Sequence, residues 1–499
     1  MAEAPRPSVV PPGMEANWYK PLTEDGLHRI HEASLTLLER TGIQVLPSEC
    51  RDIFKAAGAR VDESKDRVFI PRPMVEDGIA KAAKEVVLCG RDSRHDLHLT
   101  GRKVYMGTGG AAVNVLDLES GAVRQTVLAD VARIGRLVDA LDNIHFYLRA
   151  CVAHDCSNEL LDVNTAYAAL TNTSKHVMVN AFTSKGAFEC IDVAAMIAGS
   201  REALDARPII SFTSCWVVSP LRYAPETVET LTEIVRQNIP VAISSAPQAG
   251  ATSPASLAGT LVQVNAEQLS GIVYTNLVRP AARVIMGFVP SVADLRTGNF
   301  TGGAAEFAMM HAASAQLGQF YGIPVYNSSA ISDSKLPDIQ AGYEKGITSL
   351  AAALAGSNYI HHSAGLLESM LTVAYEQYVI DDDINGSVMR AVRGIEVTDE
   401  TLALDVIDQV CNGEGHFLGT EQSLALMNTE YYYPHTADRR RRGDWEETGS
   451  RDMREVARDT AREILAIHKP IPIPAAVDSA IRQRYNIILP PELAAIEDQ

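Results

Sequence analysis

The sequence predicts an α/β protein built on a closed (β/α)8 TIM barrel. Short apolar runs recur about every 30 to 40 residues, and helical patterns lie between them. Strands and helices that alternate in this way are typical of a parallel sheet, and eight such units close a barrel. The predicted strands lie at residues 104–106, 144–148, 176–180, 209–213, 241–245, 283–287, 324–327 and 359–362.

Four of the intervening helices are well marked, at residues 225–236, 256–270, 304–321 and 342–355. An open, doubly wound sheet is the alternative arrangement of such units. A nucleotide-binding sheet of that kind would carry a G-x-G-x-x-G turn after its first strand. The segment Gly107-Thr-Gly-Gly110 lacks that spacing, and we therefore favour the barrel.

The chain divides into four predicted parts. Residues 1–21 form an extended arm, 22–103 an N-terminal helical cap with a β-ribbon, 104–395 the barrel, and 396–499 a C-terminal helical extension. The arm contains several Pro residues and has no secretion signal. We expect it to lie on a neighbouring subunit, so the sequence predicts a homo-oligomer.

Composition narrows the possible partners. The chain is 46% hydrophobic and 21% charged, values typical of a folded globular protein. A net charge of -18 argues against nucleic acid and against an anionic membrane. No apolar stretch approaches the roughly 20 residues of a membrane helix, and the seven cysteines do not form a spaced disulfide framework. We expect a cytoplasmic protein.

A strongly charged loop follows the seventh predicted strand. Residues 332–344 place Asp333, Lys335, Asp338 and Glu344 around a Pro and a Gly. Barrel enzymes build their sites at the carboxyl ends of the strands, so this loop is a candidate site. In the alternative interpretation, Asp333 and Lys335 pair with each other and hold the loop.

Other strand ends also carry candidates. Gln248 and Asn327 are polar, and His361 alternates with His362, so that only one of these histidines is expected to face the barrel axis. We predict that His361 does. The aromatic residues Trp216, Phe288 and Tyr343 are candidates for a box around a quaternary ammonium group, which ring faces attract.

No metal site is predicted. Cys151, His154 and Cys156 follow the second strand, but they include no C-x-x-C pair and no fixed fourth ligand. A Ser-His-Asp hydrolase would carry a G-x-S-x-G turn, which the sequence does not contain at a strand end.

Several motifs together resemble the trimethylamine methyltransferase (MttB) superfamily. The similarity runs over nearly the whole chain after the arm, and it agrees with the barrel inferred from the eight runs. The archetype of the family carries pyrrolysine, whereas this chain contains only the twenty standard residues. It therefore resembles the non-pyrrolysine branch, which acts on quaternary amines such as glycine betaine. The motifs are Gly107-Thr-Gly-Gly-Ala-Ala, Val115-Leu-Asp117, Ser332-Asp-Ser-Lys-Leu-Pro-Asp338, Gln340-Ala-Gly-Tyr-Glu344, Gly365-Leu-Leu-Glu368, His416-Phe-Leu418, Asp438-Arg439 and Trp445.

The resemblance implies methyl transfer from a quaternary amine to the Co(I) of a corrinoid (cobalamin) carried by a separate protein, with no cofactor bound tightly by this chain. A quaternary ammonium already carries its activating charge, so a neutral tertiary amine can leave without proton transfer. The enzyme would then orient and desolvate the substrate. Direct transfer to tetrahydrofolate and a non-catalytic quaternary-amine-binding barrel remain alternatives.

The resemblance also suggests roles for the candidate residues. Asp333 and Glu344 would offset the cation, and Lys335 or His361 would bind a substrate carboxylate. In this interpretation the catalytic residues are Asp333, Lys335 and His361, while the substrate-binding residues are Trp216, Phe288, Asn327, Tyr343, Glu344 and Gln248.

Overall fold

The computed structural model describes residues 8–16, 19–413 and 415–497. Within these residues, eight parallel strands form a single sheet. They coincide with the eight apolar runs, which confirms the predicted fold. Parallel barrel strands are covered on both faces, which is why continuous apolar runs marked them. They are β1 (Tyr105–Met106), β2 (Phe146–Leu148), β3 (His176–Val179), β4 (Ile210–Ser214), β5 (Val241–Ser245), β6 (Val284–Phe288), β7 (Val325–Ser328) and β8 (Tyr359–His361).

The first and second strands close the barrel. The sheet order runs from β1 through β8 and back down to β2. Gly107, directly after β1, forms a parallel bridge with Phe146 of β2. A Cβ atom at Gly107 would lie 2.4 Å from the Phe146 ring, so a side chain there would prevent this close approach.

One main helix follows each strand and covers the outside of the barrel. The prediction at residues 225–236 coincides with Pro225–Arg236, which has Pro in its first turn. The helix predicted at 256–270 extends further, to Val278. In the described chain these helices are α1 (Leu128–Asp139), α2 (Asn158–Asn172), α3 (Ser184–Ala198), α4 (Pro225–Arg236), α5 (Leu257–Val278), α6 (Ala305–Tyr321), α7 (Ile339–Leu354) and α8 (Tyr375–Arg393), with a short extra helix at Arg201–Ala206 after α3.

The N-terminal part lies against the side of the barrel. The Ser34 hydroxyl donates a hydrogen bond to the Val262 carbonyl of α5 at 3.0 Å. This cover explains why α5 is buried on most of its surface and has no clear polar face. The part comprises helices Glu24–Arg40, Ser48–Ala56 and Arg72–Lys81, and strands Ile43–Gln44, Arg60–Asp62 and Arg67–Phe69, which share a small sheet with Val217–Val218 and Arg222–Tyr223.

A short antiparallel ribbon fills the N-terminal end of the barrel. Its strands are Val86–Leu88 and Leu97–Leu99, joined through a 3-10 turn at Ser93–His95. Their apolar side chains pack in one cluster with inward-facing residues of the barrel, including Tyr105 and Phe146. Because this end of the barrel is filled, a ligand can enter the barrel only from the opposite end.

Two small sheets surround the carboxyl ends of the strands. One follows β5 and β6, and the other joins the segments after β1 and β8. The loops that carry them therefore form the rim of the barrel. The strands are Gln248–Ala249, Ser291–Ala293 and Phe300–Thr301 in the first sheet, and Asn114–Leu116, Val123–Gln125, Leu366–Leu367 and Thr372–Ala374 in the second, with a 3-10 turn at Glu368–Met370.

The C-terminal extension packs outside the barrel. Arg454 and Arg458 contact the buried Glu376 carboxylate of α8 at 3.3 and 3.5 Å. The first two helices of the extension are separated at Ala403, whose φ is +55°. The helices are Asp399–Leu402, Leu404–Cys411, Glu421–Leu426, Arg442–Glu447, Met453–Ile467 and Ala475–Arg484, followed by a 3-10 turn at Pro491–Leu493.

The described part of the N-terminal arm pairs with its own chain. The Gly13 amide donates to the Val104 carbonyl, and the Val104 amide donates to the Met14 carbonyl, both at 3.0 Å. The arm was expected on a neighbouring subunit, and for these residues the structure differs. Residues 1–7, 17 and 18 of the predicted arm lie outside the described residues. No helix in the described ranges is long and apolar enough to cross a membrane.

Candidate functional site

A cavity of about 470 Å³ opens at the carboxyl ends of the barrel strands. Its lining comes from residues at or just after the ends of all eight strands, as expected of a barrel enzyme. Apolar, hydroxyl and amide side chains predominate. The lining residues are Gly110, Ala111, Leu148, Arg149, Asn180, Thr213, Cys215, Ser244, Ala246, Gln248, Thr252, Val289, Ser291, Phe300, Tyr326, Ile331, His361, His362 and Met370.

Stacked rings extend from the barrel interior to the cavity. Phe146 stacks on Tyr359 with ring centroids 3.6 Å apart, and Tyr359 stacks on Tyr326 at 5.6 Å. Tyr326 in turn stacks on His361 at 3.8 Å. Because the interior below is packed, Tyr326 and His361 are held in fixed positions, and both residues line the cavity.

The imidazole of His361 is buried and neutral. His361 is only 2% exposed, and neither ring nitrogen has a hydrogen-bond partner in the part of the chain described. Burial lowers the pKa of His361 well below its usual value, and the nearby His362 and His311 lower it further. A neutral imidazole with two free ring nitrogens can donate one hydrogen bond and accept another from a bound molecule.

His362 reaches the same cavity by an unusual backbone conformation. Strict alternation along a strand would send it to the helices, but β8 ends at His361 and His362 has a φ of +64°. Its Nδ1 atom lies 2.7 Å from the Ser328 hydroxyl. Burial lowers the pKa of His362 to about 3, so this imidazole is also neutral near pH 7. Both histidines therefore line the cavity, whereas the alternation of side chains along a strand predicted that only one of them would face the barrel axis.

One cationic side chain lines the cavity. Arg149 follows the last residue of β2, and it is 6% exposed. Its guanidinium carbon lies 5.6 Å from the centre of the Phe182 ring. No lining residue is an Asp, a Glu or a Lys, so Arg149 is the charged group that a bound molecule meets in this cavity.

Comparison with known proteins identifies the family. The model for the family described as trimethylamine methyltransferase (MTTB) matches residues 3–486. The chain belongs to this family. Family membership confirms the resemblance inferred from the motifs, and the chain is a methyltransferase.

Individual relatives span nearly all of the chain. The trimethylamine methyltransferase MttB of Desulfitobacterium hafniense (strain DSM 10664 / DCB-2) is 35% identical over 460 residues, which are 92% of this chain and 92% of the relative. The MttB protein of Methanosarcina thermophila is 36% identical over 473 residues, 93% of this chain and 96% of the relative. The glycine betaine methyltransferase of Desulfitobacterium hafniense (strain Y51) is 30% identical over 466 residues, 93% of this chain and 96% of the relative.

Two of the site residues predicted from the sequence line the cavity of this methyltransferase. They are His361, described above, and Gln248, whose Nε2 atom donates to the Val292 carbonyl at 3.3 Å. Both stand at the ends of barrel strands, where the sequence placed them.

Three other predicted residues point away from the barrel axis. Phe288 packs in the outer core between strands and helices, while Ile285 of the same strand faces inward. Asn327 donates to the His311 carbonyl of α6 and to the Ser357 hydroxyl, both at 2.7 Å. Trp216 is fully buried, with its ring centroid 4.5 Å from that of Tyr223. None of the three lines the cavity.

The charged loop at residues 332–344 is engaged in holding the rim. The Asp333 carboxylate accepts hydrogen bonds from the Gly302 and Gly303 amides at 3.0 and 3.3 Å and from the Ser369 hydroxyl at 2.7 Å. It thus ties the loop after β7 to the segments after β6 and β8. Those three segments supply the lining residues Ile331, Phe300 and Met370.

The remaining loop candidates also lie outside the cavity lining. Glu344 accepts from the Ser332 hydroxyl at 2.7 Å and from the Asp333 amide at 2.9 Å. The Lys335 ammonium is exposed and donates to the Asp333 main-chain carbonyl at 2.8 Å. Lys335 and Asp333 are therefore in contact, as the alternative interpretation of the loop expected, but through the main-chain carbonyl of Asp333 and not through its carboxylate. Tyr343 is 55% exposed on α7.

Sequence reasoning missed Tyr326, Arg149 and the buried ion pair that supports the rim. Lys345 of α7 lies 3.0 Å from the Asp381 carboxylate of α8, and neither side chain is exposed. For Arg149 a signal existed, because a charged residue directly follows an apolar run at a strand end. Within the described residues, no group of three or more His, Cys, Asp or Glu side chains is arranged to hold a metal ion.

Proposed function

We propose that this methyltransferase moves a methyl group from a quaternary amine, glycine betaine or a related betaine, to the Co(I) of a corrinoid carried by a separate protein. The cavity lining carries this proposal because it offers no general acid that titrates near neutral pH. His361 and His362 are held neutral by burial. No carboxyl group or ammonium lines the cavity.

This lining favours a quaternary over a tertiary amine. Loss of a methyl group from free trimethylamine would leave an amide anion, so trimethylamine must react in its protonated form, and the lining has no carboxylate to bind the N–H of that cation. A quaternary ammonium avoids the problem, since the electron pair of the broken C–N bond neutralises its own positive charge. The two relatives named for trimethylamine are more similar in sequence, at 35% and 36% identity, than the glycine betaine enzyme at 30%. A test of the donor therefore needs both glycine betaine and trimethylamine.

The chain's own residues would bind and orient the donor. The Phe300 ring attracts a methylated cation that has no N–H to donate, an effect of about 0.5 to 2 kcal/mol. Leu148, Val289 and Met370 exclude water from the methyl group. A corrin macrocycle is larger than the cavity, so the acceptor would approach from the rim.

Transfer assays test this proposal. The purified chain is mixed with a corrinoid protein reduced to Co(I), and methylcobalt is followed by absorbance with glycine betaine or trimethylamine as donor. Tetrahydrofolate replaces the corrinoid protein in a parallel reaction. We expect turnover with glycine betaine and corrinoid together. Turnover with trimethylamine but not with glycine betaine would contradict the proposed donor, and turnover with tetrahydrofolate but not with corrinoid would contradict the proposed acceptor. Binding of the donor without turnover in any of these reactions would contradict the enzymatic role.

We also propose that the protein is a homo-oligomer. Ile339, Tyr343 and Ile347 of α7 are 90%, 55% and 54% exposed and stand four residues apart, so they form one uncovered apolar stripe. A second copy of the chain would cover it. Light scattering of Ile347→Glu should give a smaller particle than the parent chain, and an unchanged mass would exclude this stripe as the interface.

A further inference from the structure

The cavity contains a buried positive charge without a counter-ion. The main chain of Arg149 is fixed where β2 ends, because its amide donates to the Met178 carbonyl at 3.0 Å. The side chain is almost fully buried, and no residue of the described ranges forms a hydrogen bond or an ion pair with it. A guanidinium stays protonated, so a charge remains in a low-dielectric site.

Asp162 does not neutralise this charge by direct contact. The Arg149 charge and the Asp162 carboxyl attract each other, but they lie beyond ion-pair distance. One carboxyl oxygen of Asp162 accepts from the Phe182 amide at 2.9 Å. Burial raises the pKa of Asp162, which weakens its value as a counter-ion. Buried charges are paired in proteins, and the cavity is where a partner for Arg149 has access.

We infer that Arg149 binds the carboxylate of the substrate and thereby selects betaines over quaternary ammonium cations that lack a carboxylate. This inference rests on the proposed function for the ammonium end. It assigns the carboxylate to Arg149, where the sequence pointed to Lys335 or His361.

The two ends of such a substrate have separate places in the cavity. Arg149 follows β2, whereas Phe300 lies in the segment after β6, and β1, β8 and β7 stand between these strands in the sheet. A planar guanidinium matches a carboxylate with two parallel hydrogen bonds. The Phe300 ring suits the methylated end. The positive charge of Arg149 repels a cation that lacks a carboxylate, so Arg149 selects among substrates as well as anchoring the carboxylate.

Binding measurements test the inference without any acceptor. Affinities for glycine betaine, choline and tetramethylammonium are measured by calorimetry with the parent chain, Arg149→Gln and Arg149→Lys. We expect the parent chain to prefer glycine betaine, and Arg149→Gln to bind it roughly 10- to 100-fold more weakly. The two cations should bind Arg149→Gln at least as well as they bind the parent. Arg149→Lys should recover part of the loss, because it restores charge without the planar fork.

The matched control is Arg29→Gln, which removes an exposed guanidinium from the N-terminal helix and should leave all three affinities unchanged. Equal loss for all three ligands in Arg149→Gln, or a parent chain that binds tetramethylammonium as tightly as glycine betaine, would overturn the inference. Binding that depends on Arg149 and prefers glycine betaine, but without methyl transfer, would instead refute the proposed function and still support a carboxylate site at Arg149. Circular dichroism of both Arg149 variants verifies that they are folded.

Discussion

Removing Lys345 should expose the energetic cost of a buried, unpaired carboxylate. Its ammonium donates to the Ala330 carbonyl at 2.8 Å and contacts Asp381 at 3.0 Å. Asp381 also accepts from the Gly365 amide at 2.7 Å. The pair thus joins the loops after β7 and β8, which carry Ile331 and His362 of the cavity lining.

The size of the effect follows from the chemistry of the orphaned group. In Lys345→Met, Asp381 has no cation, and breaking a buried pair costs about 3 to 5 kcal/mol. The carboxyl can escape part of this penalty by folding in its protonated form. Protonating an Asp at pH 7 costs about 1.4 kcal/mol for each of roughly three pH units above its ordinary pKa, which limits the loss to about 4 kcal/mol.

The pH dependence has a definite sign. In the variant the folded state holds a proton that the unfolded state releases above its ordinary pKa, so the folded pKa of Asp381 is the higher one. Such a group loses stability as pH rises. The deficit of Lys345→Met relative to the parent chain should therefore be near 4 kcal/mol at pH 7 and about 1.5 kcal/mol at pH 5.

Urea unfolding, followed by circular dichroism at both pH values, measures this deficit. The control is Lys81→Met, because Lys81 pairs with Asp77 at 2.6 Å while both side chains are more than half exposed. That variant should lose less than about 1 kcal/mol at either pH. The double variant Lys345→Met/Asp381→Leu should regain most of the stability. If Lys345→Met loses no more than Lys81→Met, the electrostatic reasoning is wrong.

Three further predictions concern the site. Asp333→Asn should lower the free energy of unfolding by about 1 to 3 kcal/mol and raise KM, because the carboxylate holds three rim segments together; a large fall in kcat at unchanged stability and KM would instead indicate a catalytic carboxylate. Phe300→Leu should weaken calorimetric binding of glycine betaine by about 0.5 to 2 kcal/mol, and unchanged affinity would remove Phe300 from the ammonium site. The pKa of His362 is about 3 in the folded chain, so the unfolded state binds a proton first and stability should fall as pH drops from about 6.5 towards 3. Urea titrations at pH 4.5 and 5.5 give the change in unfolding free energy with pH. This change should be smaller for His362→Gln than for the parent chain, by about 1.4 kcal/mol per pH unit, whereas an equal change would mean that His362 binds a proton in the folded state.

The described arm and the charged loop show where local reading of the sequence failed. The Pro-containing arm has no helical pattern, and the sequence predicted an extended segment there, but the pairing partner of its described residues at Val104 lies about 90 residues away. Likewise, the density of charge at residues 332–344 marked an important loop. It could not reveal that Asp333 and Glu344 would turn towards main-chain amides rather than towards the cavity.

The sequence by itself determined the barrel, the end of the barrel at which the cavity opens, and the family. Each buried parallel strand is a short apolar run, and a run needs no tertiary information to be recognised. Only the tertiary structure decided which strand residues face the cavity. Both faces of a barrel strand are apolar, so the sequence of β6 does not tell whether Ile285 or Phe288 points inward, and the same uncertainty held for Tyr326 and Asn327 in β7. Ring closure between β1 and β2 sets that orientation for the whole sheet. It thereby places Tyr326, His361 and Arg149 at one cavity and leaves Phe288 and Asn327 among the helices.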